Sequence, residues 1–244
     1  MQRLYPTPAE LLDASSLETD YLPPAAQHVR ANFAVSIDGM VSVGGRSAAL
    51  GGSADRAAFM AMRAVADVIL VGAGTVRAEN YGPVQLEDAV RQRRLARHQT
   101  PLPALAIVSN RAALAPTARV FTGPQKPLLL TSATAAATRA DLAGVAEIVV
   151  CGDDDVDLTR GMAALRERAL GRVLCEGGPT LLGSLIGAEL LDEFCCTTAP
   201  ALVGAGQRSL AGDRVWPQPI RLRLTAALEG DGMIFARYAS GGQP

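Results

Sequence analysis

The chain has 244 residues, 49% of them hydrophobic and 19% charged, with a formal net charge of −1, enough to bury a full core as one domain. A charge so close to zero gives no reason to expect nucleic acid or a membrane surface as partner, and no apolar tract approaches the length of a bilayer span. The amino terminus lacks a basic-then-apolar signal pattern, so the expected setting is the cytoplasm.

The basic residues are nearly all arginine, and Lys126 is the one lysine. That argues against a P-loop and against a pyridoxal Schiff base, both of which need a lysine at the chemistry. Cys151, Cys175, Cys195 and Cys196 lack metal-ligand spacing and only His28 and His98 accompany them, so no metal site is expected and the thiols read as reduced core residues.

Residues 1–28 carry Pro6, Pro8, Pro23 and Pro24 and read as an extended arm, with a short helix over 7–12 capped by Thr7. A single domain is expected over 29–244. Its first strand, 29–36, ends at the Asp38-Gly39 turn, and 40–52, with Gly44-Gly45 and Gly51-Gly52, reads as a loop over the sheet edge. Ser53 is a plausible cap for a helix over 54–66 whose Phe59, Met62, Val65 and Ala66 keep an apolar stripe.

The buried strand 67–71 runs into Gly72-Ala73-Gly74-Thr75, a glycine-rich strand-to-helix turn of the kind that lets a phosphate approach the backbone. Arg77 occupies the third glycine position of the Rossmann fingerprint, so that fingerprint is absent. A helix over 86–98 carries Arg91, Arg93, Arg94 and Arg97, which suit a solvated face or a basic rim for a phosphate-bearing ligand. After the strand 104–109, Ser109, Asn110 and Arg111 supply neutral donors and a cation, which suit the 2′-phosphate of NADP rather than a bare ribose hydroxyl.

A strand over 127–131, a helix opened by Thr134, a strand over 146–151, an acidic turn at 153–155 and a helix capped by Asp157 follow. They lead to the second glycine-rich turn. Val173-Leu174-Cys175 is a short apolar strand, Glu176 sits at its carboxyl end, and Gly177-Gly178-Pro179 opens a helix that continues through Thr180 and Leu181. Open α/β sheets place ligands at that end of their strands. Strands at 191–198, 221–228 and 233–238 close the chain, the last two joined by Gly230-Asp231-Gly232 as a hairpin. The count is nine strands in one mixed, mostly parallel sheet that ends on an antiparallel pair.

Asn32-Phe33-Ala34-Val35-Ser36-Ile37-Asp38-Gly39, Val71-Gly72-Ala73-Gly74-Thr75-Val76 and Glu176-Gly177-Gly178-Pro179-Thr180-Leu181, in that order and spacing, resemble the riboflavin-biosynthesis reductases. These are pyrimidine reductases of the dihydrofolate-reductase-like superfamily. The resemblance implies a three-layer α/β/α fold, NADPH, a homodimer, and reduction of the ribosyl group of 5-amino-6-(5-phosphoribosylamino)uracil to ribityl.

It also implies roles. Gly72, Gly74, Thr75, Gly177, Gly178, Thr180 and Leu181 would hold cofactor phosphates, Ser109, Asn110 and Arg111 would face the 2′-phosphate, and Ala34 would lie beside the nicotinamide. Asn32, Gly51, Glu79 and Asn80 fall at substrate positions, where family members usually carry a lysine, a threonine and an Asp-Asp-Pro run. These departures keep another pyrimidine or a dihydrofolate-like pterin open as substrate. A non-catalytic NADPH-binding protein is the reading from another class. The zinc deaminase signature is absent, so no deaminase activity is expected. Glu176, Asp38 and an ordered water are the candidate proton sources for a hydride transfer.

Overall fold

Short apolar runs such as Val68-Ile69-Leu70-Val71 are buried on both faces, which makes them interior strands of a sheet covered on two sides. The computed structural model describes residues 1–10, 13–204 and 209–241. In chain order the elements are β1 (Gln2–Tyr5), β2 (Ala9–Glu10), α1 (Ala14–Asp20), β3 (His28–Ser36), α2 (Ser53–Val65), β4 (Val68–Gly72), α3 (Ala73–Ala78), α4 (Asp88–Ala96) and β5 (Ala104–Val108). They continue as β6 (Leu128–Thr131), α5 (Ala133–Thr138), β7 (Glu147–Val150), α6 (Leu158–Glu167), β8 (Arg172–Cys175), α7 (Pro179–Gly187), β9 (Glu193–Ala199), β10 (Leu222–Gly230) and β11 (Met233–Ser240).

The strands form one sheet in the order β2-β1-β10-β11-β9-β3-β8-β4-β5-β6-β7. From β9 to β7 every pairing is parallel, and from β9 back to β2 every pairing is antiparallel. Alternation then builds three layers. Val68, Leu70, Val173 and Cys175 face α6 and α7, where Leu165, Leu182 and Leu185 are buried. On the other side Ile69 and Val71 meet Val76 of α3 and Ala135 of α5, while Leu174 meets Met62 and Val65 of α2. Each large aliphatic side chain removed from water in this way contributes about 2 kcal/mol.

The expected mixed α/β fold is present, with eleven strands among the described residues in place of nine. The added pair, β1 and β2, lies in the stretch read as an arm. These strands are too short to show alternation, and β1 is specified by pairing with β10, more than two hundred residues away (Gln2↔Glu229). The helix placed over 7–12 is corrected: Asp13 caps α1 instead, its carboxylate accepting the Ser16 N–H at 2.7 Å, and residues 11 and 12 lie outside the described residues. Tyr21, buried after α1, has the Arg30 and Arg237 guanidinium groups 5.6 and 4.8 Å from its ring centre, and Arg237 pairs with Asp20 at 2.7 Å.

Two cap assignments also move by one or two residues. Gly52 precedes α2, and the Ser53 hydroxyl donates to Asp231 in the β10–β11 turn. Ser132, rather than Thr134, caps α5. Asp157 caps α6 as expected, accepting from the Thr159 and Arg160 amides. Positions 205–208 of the loop expected after β9 lie outside the described residues. Among the described residues no helix is long and apolar enough to cross a membrane.

Arg91 lies on a solvated face, paired with Asp88 at 3.3 Å, but Arg93, Arg94 and Arg97 belong neither to such a face nor to a ligand rim. Arg93 and Arg97 grip the buried Glu18 of α1, and their hydrogen bonds outweigh burial to hold its carboxyl below the usual range. Arg94 is fully buried. It donates to the carbonyls of Arg63, Ala64 and Ala66 at 3.2, 3.0 and 2.6 Å and to that of Thr100 at 2.9 Å, satisfying the carboxyl end of α2 with a side chain. Arg94→Ala strands those carbonyls and is expected to lower unfolding free energy by about 3 kcal/mol in urea melts. A loss below about 1 kcal/mol would contradict this account of α2.

Candidate active site

The parallel strands all end at one edge, and β8 lies between β3 and β4, so the three motifs meet there despite their separation in sequence. The two glycine turns are joined directly: the Gly72 N–H donates to the Gly177 carbonyl at 2.8 Å, and the Glu176 N–H donates to the Leu70 carbonyl at 3.0 Å. Gly177 has φ +118°, a conformation that disfavours side chains, and the Gly177–Gly178 peptide is cis. A Cβ on Gly178 would stand 2.8 Å from the Thr75 hydroxyl. Both positions therefore require glycine.

Above these turns opens a cleft of about 1210 Å³. Its lining includes Gly72, Gly74, Thr75, Gly177, Gly178, Thr180 and Leu181 from the two turns, and Ser109, Asn110 and Arg111 beyond β5. The first α7 amide to find a helical partner is that of Leu182, at 3.0 Å from the Gly178 carbonyl, which leaves the preceding amides of the turn for a ligand. An added Cβ at Gly74 meets nothing within 4 Å, so the backbone here faces open space. Glycine backbone, a helix start and an exposed guanidinium suit a phosphate-bearing dinucleotide. Asn110 differs from Ser109 and Arg111 in that its amide is already engaged, donating to Asp155 at 2.6 Å and accepting the Val156 N–H at 3.1 Å.

The opposite end of the cleft is lined by Asn32 and Ala34 of β3, Gly51, Asp55 and Phe59 around the start of α2, and Glu79. Glu79 accepts the Ser47 N–H at 3.0 Å and the Ser47 hydroxyl at 3.2 Å. Asn80 falls outside the lining and offers its carbonyl to Arg119 at 3.2 Å. Asp38 also lies outside it, accepting the Ser36 hydroxyl and the Gly204 N–H, with Gly204 at 2.7 Å. Those two bonds, with the Val203 N–H, pull its pKa down to about 2, so at neutral pH it is an ionised pin between two loops.

Glu176 lines the cleft, but its carboxylate is bound from below. Arg63 donates Nε to Oε1 and Nη2 to Oε2, both at 2.7 Å, and the Tyr81 hydroxyl also donates to Oε2. Burial opposes the Arg63 charge, Glu176 outweighs it, and the guanidinium is held above its ordinary pKa. Burial, and then Glu176, push the Tyr81 phenol well above its ordinary value. Arg63 also stacks 4.2 Å from the centre of the Phe59 ring.

Sequence reasoning did not find Arg63 or Asp55 and gave Tyr81 no role of its own. A signal existed in the line Asp55, Phe59, Arg63, which recurs every four residues along α2 beside its buried Ala54, Ala58, Ala61, Met62 and Val65 face and is too polar at its ends for a plain core stripe. Among the described residues no group of three or more His, Cys, Asp or Glu could hold a metal ion.

Fold and cleft define an α/β protein with a small-molecule site at the carboxyl end of its sheet. The chain belongs to the RibD C-terminal domain family, whose model matches residues 27–234. It is 30% identical, over 72% of its own length and 82% of the relative's, to the 2,5-diamino-6-ribosylamino-4(3H)-pyrimidinone 5′-phosphate reductase of Archaeoglobus fulgidus. It is 28% identical to the riboflavin biosynthesis protein RibD of Mycobacterium tuberculosis, matching 72% of this chain and 43% of that protein. A pyrimidine reductase-like protein of Corynebacterium diphtheriae superposes with a TM-score of 0.83 at 27% identity, covering 93% of this chain and 99% of that one.

The Asp38 pin is testable through its pH dependence. Its pKa is depressed from 3.8, so its stabilisation is present above that value and is lost as pH falls through about 2. Asp38→Asn is expected to unfold at lower urea than wild type at pH 7, the gap closing as pH falls below 4. A gap independent of pH would contradict the ionised pin.

Proposed function

We propose that this protein is an NADPH-dependent reductase that converts the ribosyl group of 5-amino-6-(5-phosphoribosylamino)uracil to ribityl in riboflavin biosynthesis. The observation that carries the proposal is the single cleft that joins a glycine-lined phosphate cradle to a polar pocket over Asn32 and Ala34. Its volume, about 1210 Å³, exceeds what one ordinary small ligand needs and suits a dinucleotide beside a pyrimidine nucleotide.

Gly72, Gly74, Thr75, Gly177, Gly178, Thr180 and Leu181 hold the diphosphate, Ser109 and Arg111 take the 2′-phosphate, and Ala34 leaves room for the nicotinamide face. When bound, NADPH supplies the hydride. The protein's own task is to orient the acceptor carbon and exclude water. Glu176 serves as a positioning residue in this reading, because Arg63 and Tyr81 already bind its carboxylate; together they give the substrate end a fixed floor. Asn32, Gly51 and Glu79 remain the substrate-side contacts.

A second reading takes the 2,5-diamino pyrimidinone as substrate. It is favoured by the Archaeoglobus fulgidus relative, whose name carries that substrate. The same proposal places the enzyme in the cytoplasm as a homodimer.

The decisive assay follows NADPH absorbance with both phosphoribosylamino pyrimidines, with dihydrofolate as substrate control and NADH as cofactor control. Oxidation of NADPH with a phosphoribosylamino pyrimidine is expected. Oxidation with dihydrofolate alone, or with none of the three, would overturn the proposal. Arg111→Ala is expected to raise KM for NADPH about 10-fold and to leave KM for NADH unchanged. Equal effects on both cofactors would remove Arg111 from the 2′-phosphate site.

A further inference from the structure

Reducing a ribosylamine consumes a proton as well as a hydride, and the cleft must deliver that proton at its substrate end. Three carboxyl groups line the cleft: Asp55, Glu79 and Glu176. Both oxygens of Glu176 are bound by Arg63, and one also by Tyr81. Glu79 is tied to the Ser47 N–H and hydroxyl. Asp55 is held differently. It stands in the first turn of α2, partly buried, with Oδ2 so close to Gly51 that a Cβ there would lie 2.9 Å away. None of the side-chain hydrogen bonds found among the described residues holds its carboxyl; the polar group that acts on it is the hydroxyl of Thr197 on β9. Thr197 is the register partner of Ala34 on β3, so this carboxyl reaches the sheet beside the residue assigned to the nicotinamide.

We propose that Asp55 is the proton donor of the reduction, delivering its proton from the start of α2 to the ring oxygen of the substrate ribosyl group. The assignment rests on the ribosyl-reduction reading above. As the C1′–O4′ bond breaks, the lone pair of the exocyclic nitrogen forms C1′=N, and O4′ takes the Asp55 proton to become the 4′-hydroxyl. C1′ of the resulting iminium then accepts the hydride, and the π electrons return to nitrogen as the amine lone pair. Asp55, left as carboxylate, regains a proton from solvent at the cleft mouth. The sum is one substrate, one NADPH and one proton going to one ribitylamine and one NADP⁺.

The electrostatics agree with this role. Burial raises the Asp55 pKa, and the Thr197 hydroxyl lowers it by less. The charged groups on the elements around it are Arg56 on its own helix, the Arg63–Glu176 pair, Glu79 after α3 and Asp231 in the β10–β11 turn. Among the described residues none forms an ion pair with it; Arg63 is neutralised by Glu176, and Asp231 accepts from Ser53 and from the Ala54 N–H. The donor is the protonated form, so kcat/KM falls as pH rises through a pKa above that of a free aspartate.

The test uses the full chain with NADPH and each phosphoribosylamino pyrimidine. Asp55→Asn is expected to lower kcat about 100-fold or more, to change KM less than about threefold, and to abolish the falling pH limb. Asp55→Glu restores part of kcat and the limb. Thr197→Val, which keeps the carboxyl and removes that hydroxyl, moves the limb to higher pH, and it decides the matter if Asp55→Asn fails to fold. Infrared titration gives a readout without turnover: a protonated-carboxyl band persists above the pH at which exposed aspartates ionise, and Asp55→Asn lacks it. Asp55→Asn activity within about threefold of wild type, a limb unmoved in Thr197→Val, or a band that survives in Asp55→Asn would each overturn the assignment. Wild-type enzyme that turns over neither pyrimidine would overturn the substrate reading, and the assignment with it. Wild-type turnover with an unaffected Asp55→Asn removes the assignment alone.

Discussion

The hydrogen bond from the Gly72 N–H to the Gly177 carbonyl, 2.8 Å long, fastens the ends of β4 and β8 into one surface. Everything at the cleft depends on that closure. It forms because β8 lies beside β4 in the sheet, and because the chain at Gly177 takes a φ of +118° that glycine adopts readily. The apolar strands supply the energy that holds the edge in register, while the glycines leave its backbone accessible to a ligand. Two loops that look alike in sequence thus become the two walls of one cradle.

Charge in this molecule is largely spent on architecture. Arg94 satisfies the end of α2, Arg93 and Arg97 anchor α1 through Glu18, and Arg237 holds Asp20. At the cleft, Arg63 and Tyr81 immobilise Glu176 from below. Breaking such a buried pair costs more than forming it gains, so these residues fix geometry. Among the described carboxyl groups that line the cleft, the one held by neither an arginine nor a serine is the partly buried Asp55 on α2. Burial there raises the pKa of the acid, against a smaller lowering by the Thr197 hydroxyl.

The central layer was readable because its signals are local. An apolar run followed by Gly-Ala-Gly or Gly-Gly-Pro declares strand, turn and helix within ten residues, and the order of three such motifs was enough to indicate the family. The unread parts depend on distance. β1 acquires its strand character from β10, and the Glu176–Arg63 pair spans 113 positions. Arg94 reads as a surface residue until α2 presents it with bare carbonyls. Asp38 shows the converse, since a carboxylate beside a glycine turn looks catalytic in sequence and proves to be a pin between loops. The local pattern gave Glu176 its place at the sheet edge, but its partners gave it its state.

The account requires the cleft to bring the cofactor's reactive carbon to C1′ of a pyrimidine riboside phosphate. The most direct measurement runs the reaction with NADPH carrying two deuterium atoms at C4 and locates the label in the product by mass spectrometry and NMR. One deuterium on C1′ of a ribityl side chain is the predicted result. A reduced product with no deuterium at C1′, or with the label on the pyrimidine ring, would contradict it.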